Sequence, residues 1–471
     1  MSPKDKKGKK KYFVDNKASK LSSDEKRIKS SKAKNEQMSK DDQKQSSNNE
    51  KNNIYFSNKI TFVKKLFSKK MLMDLIFNPL YFSIGACAFL LFDALLNVFI
   101  IENVKYTEID WIAYMQEVEG FLNGTTDYLR LRGNTGPLVY PAGFVYIFSL
   151  LYYITNKGTS IYLAQYIFAG IYLLTLALVF RIYYKSKKLP PYILIFTCCL
   201  SYRIHSIFVL RLFNDPVSVV IFYGALNCFM NGWWSIGSLL YSLAVSVKMN
   251  ILLYAPALLM SYLYCLGILG TLKQIAICGF LQVLLAAPFL IENPVGYITQ
   301  SFNLGRVFLY EWTVNWRFLP EEIFVHRGLH VGLLTAHLVV LAIFAYTHWR
   351  QYLIHYGSLQ DTKLDVKCQL LLQPMFMSNF VGIVFCRSLH YQFYIWYYHT
   401  IPYLLWCTTL SIPSRLLLLG LIELCWNTFP STWWSSILLH LCHGIILFAL
   451  FKNRPTTEKV QAVRKRLIKG D

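Results

Sequence analysis

Between residues 80 and 451 the chain alternates long apolar runs with short polar interruptions, whereas its first 60 residues hold no run able to build a core. Runs of about 18–20 residues are long enough for a helix to cross ~30 Å of hydrocarbon. The pattern predicts spans near residues 80–101, 161–184, 191–209, 216–232, 233–247, 250–268, 274–291, 328–347, 368–386, 395–411, 414–425 and 434–451, twelve in all. Residues 138–155 are also apolar but are read as a re-entrant or interfacial helix. Counting them as a span would put Lys185-Ser186-Lys187-Lys188 on the non-cytosolic side, against the tendency of Lys and Arg to remain in the cytosol. In the polar stretch 102–137, Trp111, Met115, Val118 and Leu122 recur at helical spacing, which predicts an amphipathic helix lying on the membrane surface. The class is an all-α polytopic membrane protein.

Composition agrees: 54% of residues are apolar, 16% aromatic and 16% charged, against about 25% charged in a soluble domain. Charge is segregated at the ends. Residues 1–70 hold 21 Lys/Arg and 8 Asp/Glu, which is +13 of a total of +22, and residues 452–471 add +5. Both ends are therefore read as disordered basic cytosolic tails flanking a membrane body over 71–451, and the number of spans is expected to be even. A basic tail can attract nucleic acid or anionic lipid; a solvated topology tail is the simpler reading, so no nucleic-acid partner is expected. The first apolar run, with no cleavable signal peptide before it, is expected to act as an uncleaved anchor. The eleven cysteines all fall in apolar runs without a CxxC or Cys/His spacing, so they read as packing residues and not as a zinc or disulfide framework.

This topology sorts the polar residues. One side receives 102–137, the 211–215 segment, 248–250, the 292–327 loop and the 387–392 segment; the other receives mostly short basic linkers. The sequon Asn123-Gly124-Thr125 lies on the first side, which would be luminal if the sequon is used. Asp110 and Glu117 share a face of the amphipathic helix, flanked by Glu108 and Glu119. A carboxylate here is placed to take a proton from a sugar hydroxyl. The structural alternative is helix capping, since Thr107 and Asp110 fit Ser/Thr-x-x-Asp/Glu. Asp93, inside the first span, reads as a helix-packing partner.

Arg211, Asn214, Asp215 and Lys248 lie at span ends, where an Arg/Lys set suits a phosphate. An internal ion pair, Asp215 with Lys248 or Arg211, explains the same residues, and the spacing leaves both readings open. Arg306, Trp312, Asn315, Trp316 and Arg317 in one loop, and Arg387, His390, Tyr391, Gln392, Trp396 and Tyr397 in another, combine aromatic faces with polar groups as sugar sites do. Interfacial aromatic belts have the same composition. The chain has no Walker A loop, no GxGxxG after a strand, no HExxH and no Asp-x-Asp pair of the kind that holds Mg²⁺ for a nucleotide sugar, so neither a metal nor a cofactor is expected.

Several long motifs resemble one family. They are Tyr106-Thr107-Glu108-Ile109-Asp110-Trp111, Gly136-Pro137-Leu138-Val139-Tyr140-Pro141-Ala142-Gly143, the run from His205 to Pro216 and Ser246-Val247-Lys248-Met249-Asn250. Trp312-Thr313-Val314-Asn315-Trp316-Arg317-Phe318-Leu319 and Arg387-Ser388-Leu389-His390-Tyr391-Gln392-Phe393-Tyr394 complete the set. The sequence is similar over residues 75–450 to the dolichyl-phosphate-mannose-dependent α-1,3-mannosyltransferases of N-glycan assembly. The resemblance implies a GT-C fold of about 12 transmembrane helices with luminal amphipathic or re-entrant helices. It also implies location in the endoplasmic-reticulum membrane with the active site in the lumen, among the lipids of that membrane. The partners it implies are dolichyl-phosphate-mannose as donor and Man5GlcNAc2-PP-dolichol as acceptor.

A β-linked donor and an α-linked product imply inversion, with one general base on the acceptor hydroxyl and cations on the leaving phosphate. The family's acidic residue in the first luminal loop nominates Asp110 as base, then Glu108. Arg211, Asp215, Lys248, Arg306, Arg317, Arg387 and His390 are nominated for the donor, and Trp111, Trp312, Trp316, Tyr391 and Gln392 for the acceptor. The family usually reads Gly-Asp-Thr-Gly-Pro where this chain has Gly133-Asn134-Thr135-Gly136-Pro137; Asn keeps the turn-forming role of Asp. A polyprenyl-lipid flippase or transporter is the alternative, and it predicts internal repeats that the sequence does not display. A non-catalytic scaffold leaves the one-sided Arg, Lys, Asp and His clustering unexplained.

Overall fold

The computed structural model describes residues 68–303, 309–357 and 364–453. Arg306 and nearly all of both basic tails lie outside the described residues. The chain divides into two units, Met1–Asp74 and Leu75–Asp471. Only residues 68–74 of the first are described, and the architecture is that of the second.

Among the described residues the unit is helical apart from a minimal hairpin, β1 (Arg132–Gly133) against β2 (Gly136–Pro137), with Asn134 and Thr135 as its turn. Its helices include α1 (Phe82–Asn103), α2 (Trp111–Leu122), α3 (Ala142–Ile154) and α4 (Ile161–Ser186). They continue with α5 (Ile193–Cys199), α6 (Tyr202–His205), α7 (Asp215–Met230), α8 (Trp234–Val247) and α9 (Ala255–Glu292). After these come α10 (Pro294–Ser301), α11 (Arg327–Phe344), α12 (Leu364–Val384), α13 (Ile401–Trp406), α14 (Ile412–Asn427) and α15 (Trp433–Lys452).

This is an all-α membrane protein. Five segments are long and apolar enough to cross a bilayer: Pro79–Asn103, Ile161–Ser186, Met249–Glu292, Arg327–Trp349 and Trp433–Lys452. Ile193–Cys199 with Tyr202–Leu210, bent by 47°, is a broken span or a re-entrant loop, so the described residues hold five such segments, or six with this pair. The bend falls at Ser201, whose side chain caps the second piece by accepting from the Ile204 amide.

Met249–Glu292 has 44 residues, about 66 Å of helix at 1.5 Å per residue, twice the need of one span. It is broken at Gly267, where φ is 69° and ψ −176°, a conformation open to glycine and costly for any residue with a Cβ. Ser238 Oγ of α8 lies 2.6 Å from the Tyr262 hydroxyl and 2.9 Å from Gln274 Oε1, one on each side of the break. The chain therefore turns back there, and the helical pieces over residues 250–268 and 274–291, each expected as a span, meet at Gly267.

Residues 395–411 correct an expected span. They form two 3₁₀ turns, Tyr391–Trp396 and Tyr398–Thr400, and then six-residue α13. Their apolar composition reflects burial by neighbouring helices: Tyr394, Tyr397, Tyr398 and Tyr403 are all buried. Their hydroxyls seek partners that a lipid-facing helix lacks, as Tyr394 does with Glu423 at 2.8 Å and Tyr397 with His443 at 2.9 Å.

The stripe on α2 is also covered by protein. Trp111, Met115 and Val118 are buried with Phe144, Val145 and Phe148 of α3 and Phe168 of α4 in one apolar cluster. An apolar stripe favours lipid and another helix alike, and here α3 supplies the cover. Asp93 of α1 is wholly buried, 3.0 Å from His205 Nε2 and 3.2 Å from the Tyr172 hydroxyl. It ties α1 to α4 and α6, as the helix-packing reading expects.

Candidate active site

Asp110 immediately precedes α2, and the helix begins without a side-chain cap from it. Glu108 does the capping instead: its Oε1 accepts from the Ile112 amide at 3.0 Å, and its Oε2 accepts from the Tyr106 hydroxyl. The Thr107/Asp110 capping pattern is thus not used. Burial, then Glu108, raises the Tyr106 phenol, so it stays protonated and donates. With both oxygens engaged, Glu108 is less available to a substrate. Asp110 is half-buried, and the contact its Oδ2 receives from the Tyr114 hydroxyl is long, at 3.4 Å. Burial also holds Tyr114 well above the usual phenol range.

From Tyr114 a chain of polar contacts runs inward. Its hydroxyl is 3.5 Å from Oδ1 of buried Asn214, which also accepts from Lys248 Nζ at 2.9 Å. Lys248 Nζ lies 2.5 Å from Oδ2 of Asp215, and Trp396 Nε1 donates to Asp215 Oδ1 at 2.5 Å. Asp215 is fully buried and Lys248 nearly so. The ion-pair reading of Asp215 and Lys248 is therefore the one realised. A buried carboxylate with both oxygens engaged is poorly placed to take a substrate proton, and its partner's charge is already balanced. The ring of Tyr140 lies 5.4 Å and that of Phe393 5.5 Å from Lys248 Nζ.

The local folding follows from small residues. A Cβ on Gly143 of α3 would collide with Ser246 Oγ on α8, and one on Gly133 would come within 2.6 Å of the Ala113 backbone on α2. The motif at 136–143 is thereby pressed against the Ser246–Asn250 motif, and the hairpin against α2. Asn134 is exposed at the hairpin turn, its amide donating to Gln116 Oε1 at 2.7 Å. That is a structural position.

The other expected residues fall into three groups. Trp111 is fully buried, its indole N–H on the Gly158 carbonyl at 3.0 Å; it is a core residue, not a lining one. Asn315 and Trp316 both donate to the Cys386 carbonyl, at 2.7 and 2.8 Å, and the Val314 amide donates to Leu389 O at 2.7 Å. This motif locks the two loops together. The third group gathers around the Tyr391–Trp396 turn. Tyr391 is half-buried, Phe429 packs edge-on to it and stacks with exposed Trp312, and His390 stacks on Phe393. Arg317 lies over Tyr310, and Arg211 donates to Ser206. Gln392 and Arg387 are half-buried in the same loop.

Spacing alone does not single out two of the participants. Tyr114 looks like core. Arg203 sits inside an apolar run, where its depth is the available signal. Among the described residues no group of three or more His, Cys, Asp or Glu is disposed to hold a metal ion. The arrangement thus offers the half-exposed carboxylate of Asp110, phenol and amide donors beside it, and arginines nearby, which is equipment for moving a proton from a hydroxyl and holding an anion.

Comparison with known proteins converges on one group. The sequence matches the family described as ALG3 protein over residues 87–436. A Mus musculus protein named Dol-P-Man:Man(5)GlcNAc(2)-PP-Dol alpha-1,3-mannosyltransferase is 53% identical over 399 residues, covering 82% of this chain and 91% of that protein. The Homo sapiens protein of the same name is 54% identical over 384 residues, covering 79% and 88%. One of that name from Arabidopsis thaliana is 44% identical over 385 residues, covering 78% and 87%.

Proposed function

Since this chain belongs to the ALG3 family, we propose that its mannosyl transfer takes place at the half-exposed carboxylate of Asp110. The chain is a dolichyl-phosphate-mannose-dependent α-1,3-mannosyltransferase acting on Man5GlcNAc2-PP-dolichol, and not a flippase. One observation carries the site: a row of polar contacts, the two at the Tyr114 hydroxyl long at 3.4 and 3.5 Å, runs from Asp110 through Tyr114, Asn214, Lys248 and Asp215 to Trp396 and joins three of the separate motifs.

Asp110 takes the proton of the acceptor hydroxyl as that oxygen attacks the anomeric carbon of the donor. The carbon–oxygen bond to phosphate breaks with inversion, and dolichyl phosphate leaves with the bonding pair. Asp110 finishes protonated. General-base help of this kind contributes about 10²–10⁴-fold. Asp215 and Lys248 act indirectly, by fixing Asn214 and so the position of Tyr114 beside Asp110. Arg211, Arg317, Arg387 and His390 remain donor-binding residues in this reading, and Trp312, Tyr391 and Gln392 acceptor-lining ones.

The catalytic end faces the lumen of the endoplasmic reticulum, with both basic tails, 1–70 and 452–471, in the cytosol and an even number of crossings of a GT-C body between them. Support comes from α4, whose N-terminal end lies near Trp111 and Gly158, while Lys185, Lys187 and Lys188 gather at its far end. The fold-back at Gly267 adds a crossing, and thirteen-residue α3, about 20 Å long, is too short for one.

The test is mannose transfer by the purified chain in detergent, given dolichyl-phosphate-mannose, the Man5 lipid-linked acceptor and chelator. Transfer by the wild type and its near-loss in Asp110→Asn, with donor binding intact, supports the assignment. Retained transfer in the variant moves the base elsewhere, Glu108 being next.

A further inference from the structure

Arg203 has no assigned role, yet it is the most conspicuous charge in the body of the protein. It stands on α6, just past the bend at Ser201 in the helix pair leading to Arg211, and is only 6% exposed. Its guanidinium lies over Tyr391, 4.6 Å from the ring centre, and within 3.5 Å of the Tyr202 hydroxyl, while its Nε has no hydrogen-bond partner. A buried charge normally has a paired counterion. No ion pair involves Arg203, Arg211 or Arg317 among the described residues.

Burial and the proximity of Arg203 both disfavour the charge on Arg211. Burial raises the Tyr391 phenol, while Ser431, Arg203 and Arg317 pull it down. The carboxylate nearest in effect is Glu423, which feels Arg203 electrostatically. Its oxygens accept from Tyr394 at 2.8 Å and from Asn427. Three guanidinium groups against one engaged carboxylate leave a local excess of about two positive charges, which matches a phosphate. The same 3₁₀ turn that carries Tyr391 carries Trp396, whose indole holds Asp215. The excess charge is therefore built onto the network that ends at Asp110.

The geometry points to Arg203, over Tyr391, as the buried centre of a phosphate cradle, with Arg211 and Arg317 adding positive charge around it, that holds the phosphate of a polyprenyl-linked substrate during transfer. This rests on the mannosyl-transfer reading of the site. Both substrates carry such a group, the donor a single phosphate and the acceptor a diphosphate. A guanidinium fork held against a tyrosine ring presents its N–H edge to phosphate oxygens in a fixed plane.

The full-length protein in detergent is assayed as wild type, Arg203→Gln, Arg203→Lys and Arg317→Gln, with KM measured for each substrate while the other saturates. In parallel, dolichyl phosphate is titrated and its protection against thermal unfolding recorded, a readout that needs no turnover. Loss of charge-assisted bonds to phosphate predicts a rise of about 10- to 100-fold in one KM for Arg203→Gln. Arg203→Lys should recover part of it, and Arg317→Gln, on another segment, should move the same KM. A rise in donor KM with loss of protection by dolichyl phosphate assigns the cradle to the donor. A rise in acceptor KM with protection retained assigns it to the acceptor diphosphate. Both KM values unchanged in Arg203→Gln and Arg317→Gln, or a lower melting temperature with protection and KM intact, overturns the cradle and leaves Arg203 a packing residue. If wild type transfers no mannose but dolichyl phosphate still protects it in an Arg203-dependent way, the activity reading fails and the cradle stands.

Discussion

Two carboxylates, Asp93 and Asp215, are equally and fully buried, and each is held by a basic side chain and an aromatic donor. Asp93 meets His205 and Tyr172, both buried, and His205 places its other nitrogen 3.0 Å from the Ser201 carbonyl. That network ends inside the helix bundle. Asp215 meets Lys248 and Trp396, and through Asn214 and Tyr114 its network reaches half-exposed Asp110. The difference teaches that burial of a charge does not mark a functional site. What marks it is a path from the buried charge to a group that a substrate can touch. One cluster locks three helices; the other aims a base.

The largest expected effect separates the two clusters outright. Asp110→Asn should lower kcat by about 10²–10⁴-fold, with an unchanged melting temperature, whereas Asp93→Asn should transfer mannose at nearly the wild-type rate per folded molecule. Equal activity losses in the two variants, measured on protein matched for folded fraction, would erase the distinction.

The next effect is on stability. Lys248→Met leaves Asp215 buried without its counterion, a change worth about 3–5 kcal/mol, read as a fall in the denaturation midpoint in detergent. Adding Asp215→Asn removes the stranded charge, so the double variant should be more stable than Lys248→Met alone. A double variant less stable than either single one would show that the pair is not a closed unit. Asp93→Asn keeps the shape but weakens the bonds to His205 and Tyr172, and should cost about 1–3 kcal/mol without touching either KM.

Part of this contrast was legible in the sequence. Apolar periodicity located α1, α4, α11 and α15 within a few residues, because a long lipid-crossing run has a composition nothing else shares. It failed over residues 395–411, where tyrosines supply apolar bulk while their hydroxyls bind partners, Tyr397 with His443 and Tyr398 with the Phe196 carbonyl; hydropathy registers the ring and misses the bond. The turn at Gly267 was hidden for the opposite reason, since a reversal made by one glycine needs no polar linker. At the site, the cost of charge in an apolar run pointed to Lys248 and would have pointed to Arg203 by the same logic. The path itself was not legible, because Tyr114, Asn214 and Trp396 meet only after folding brings α2, α7 and the Tyr391–Trp396 turn to one end.

The smallest effect concerns Asn134, where the family usually carries aspartate. If that position supplied the base, the contrast between Asp93 and Asp215 would fail at its root, because the path from Asp215 would then lead to the wrong carboxylate. The structure puts Asn134 in a two-residue turn, exposed, with its backbone amide on Gln116 and the hairpin held to α2 by the close approach of Gly133 to Ala113. Asn and Asp fill such a turn for the same reason, a short polar side chain that bonds to nearby backbone. An exposed substitution of this kind changes stability by within about 0.5 kcal/mol, and with its side chain outside the polar row at Asp110, Asn134→Asp should leave kcat/KM essentially unchanged. Measured in the Asp110→Asn background, it should restore nothing. A tenfold gain in either background would make the turn a catalytic element and shift the base from the start of α2 to the hairpin beside it.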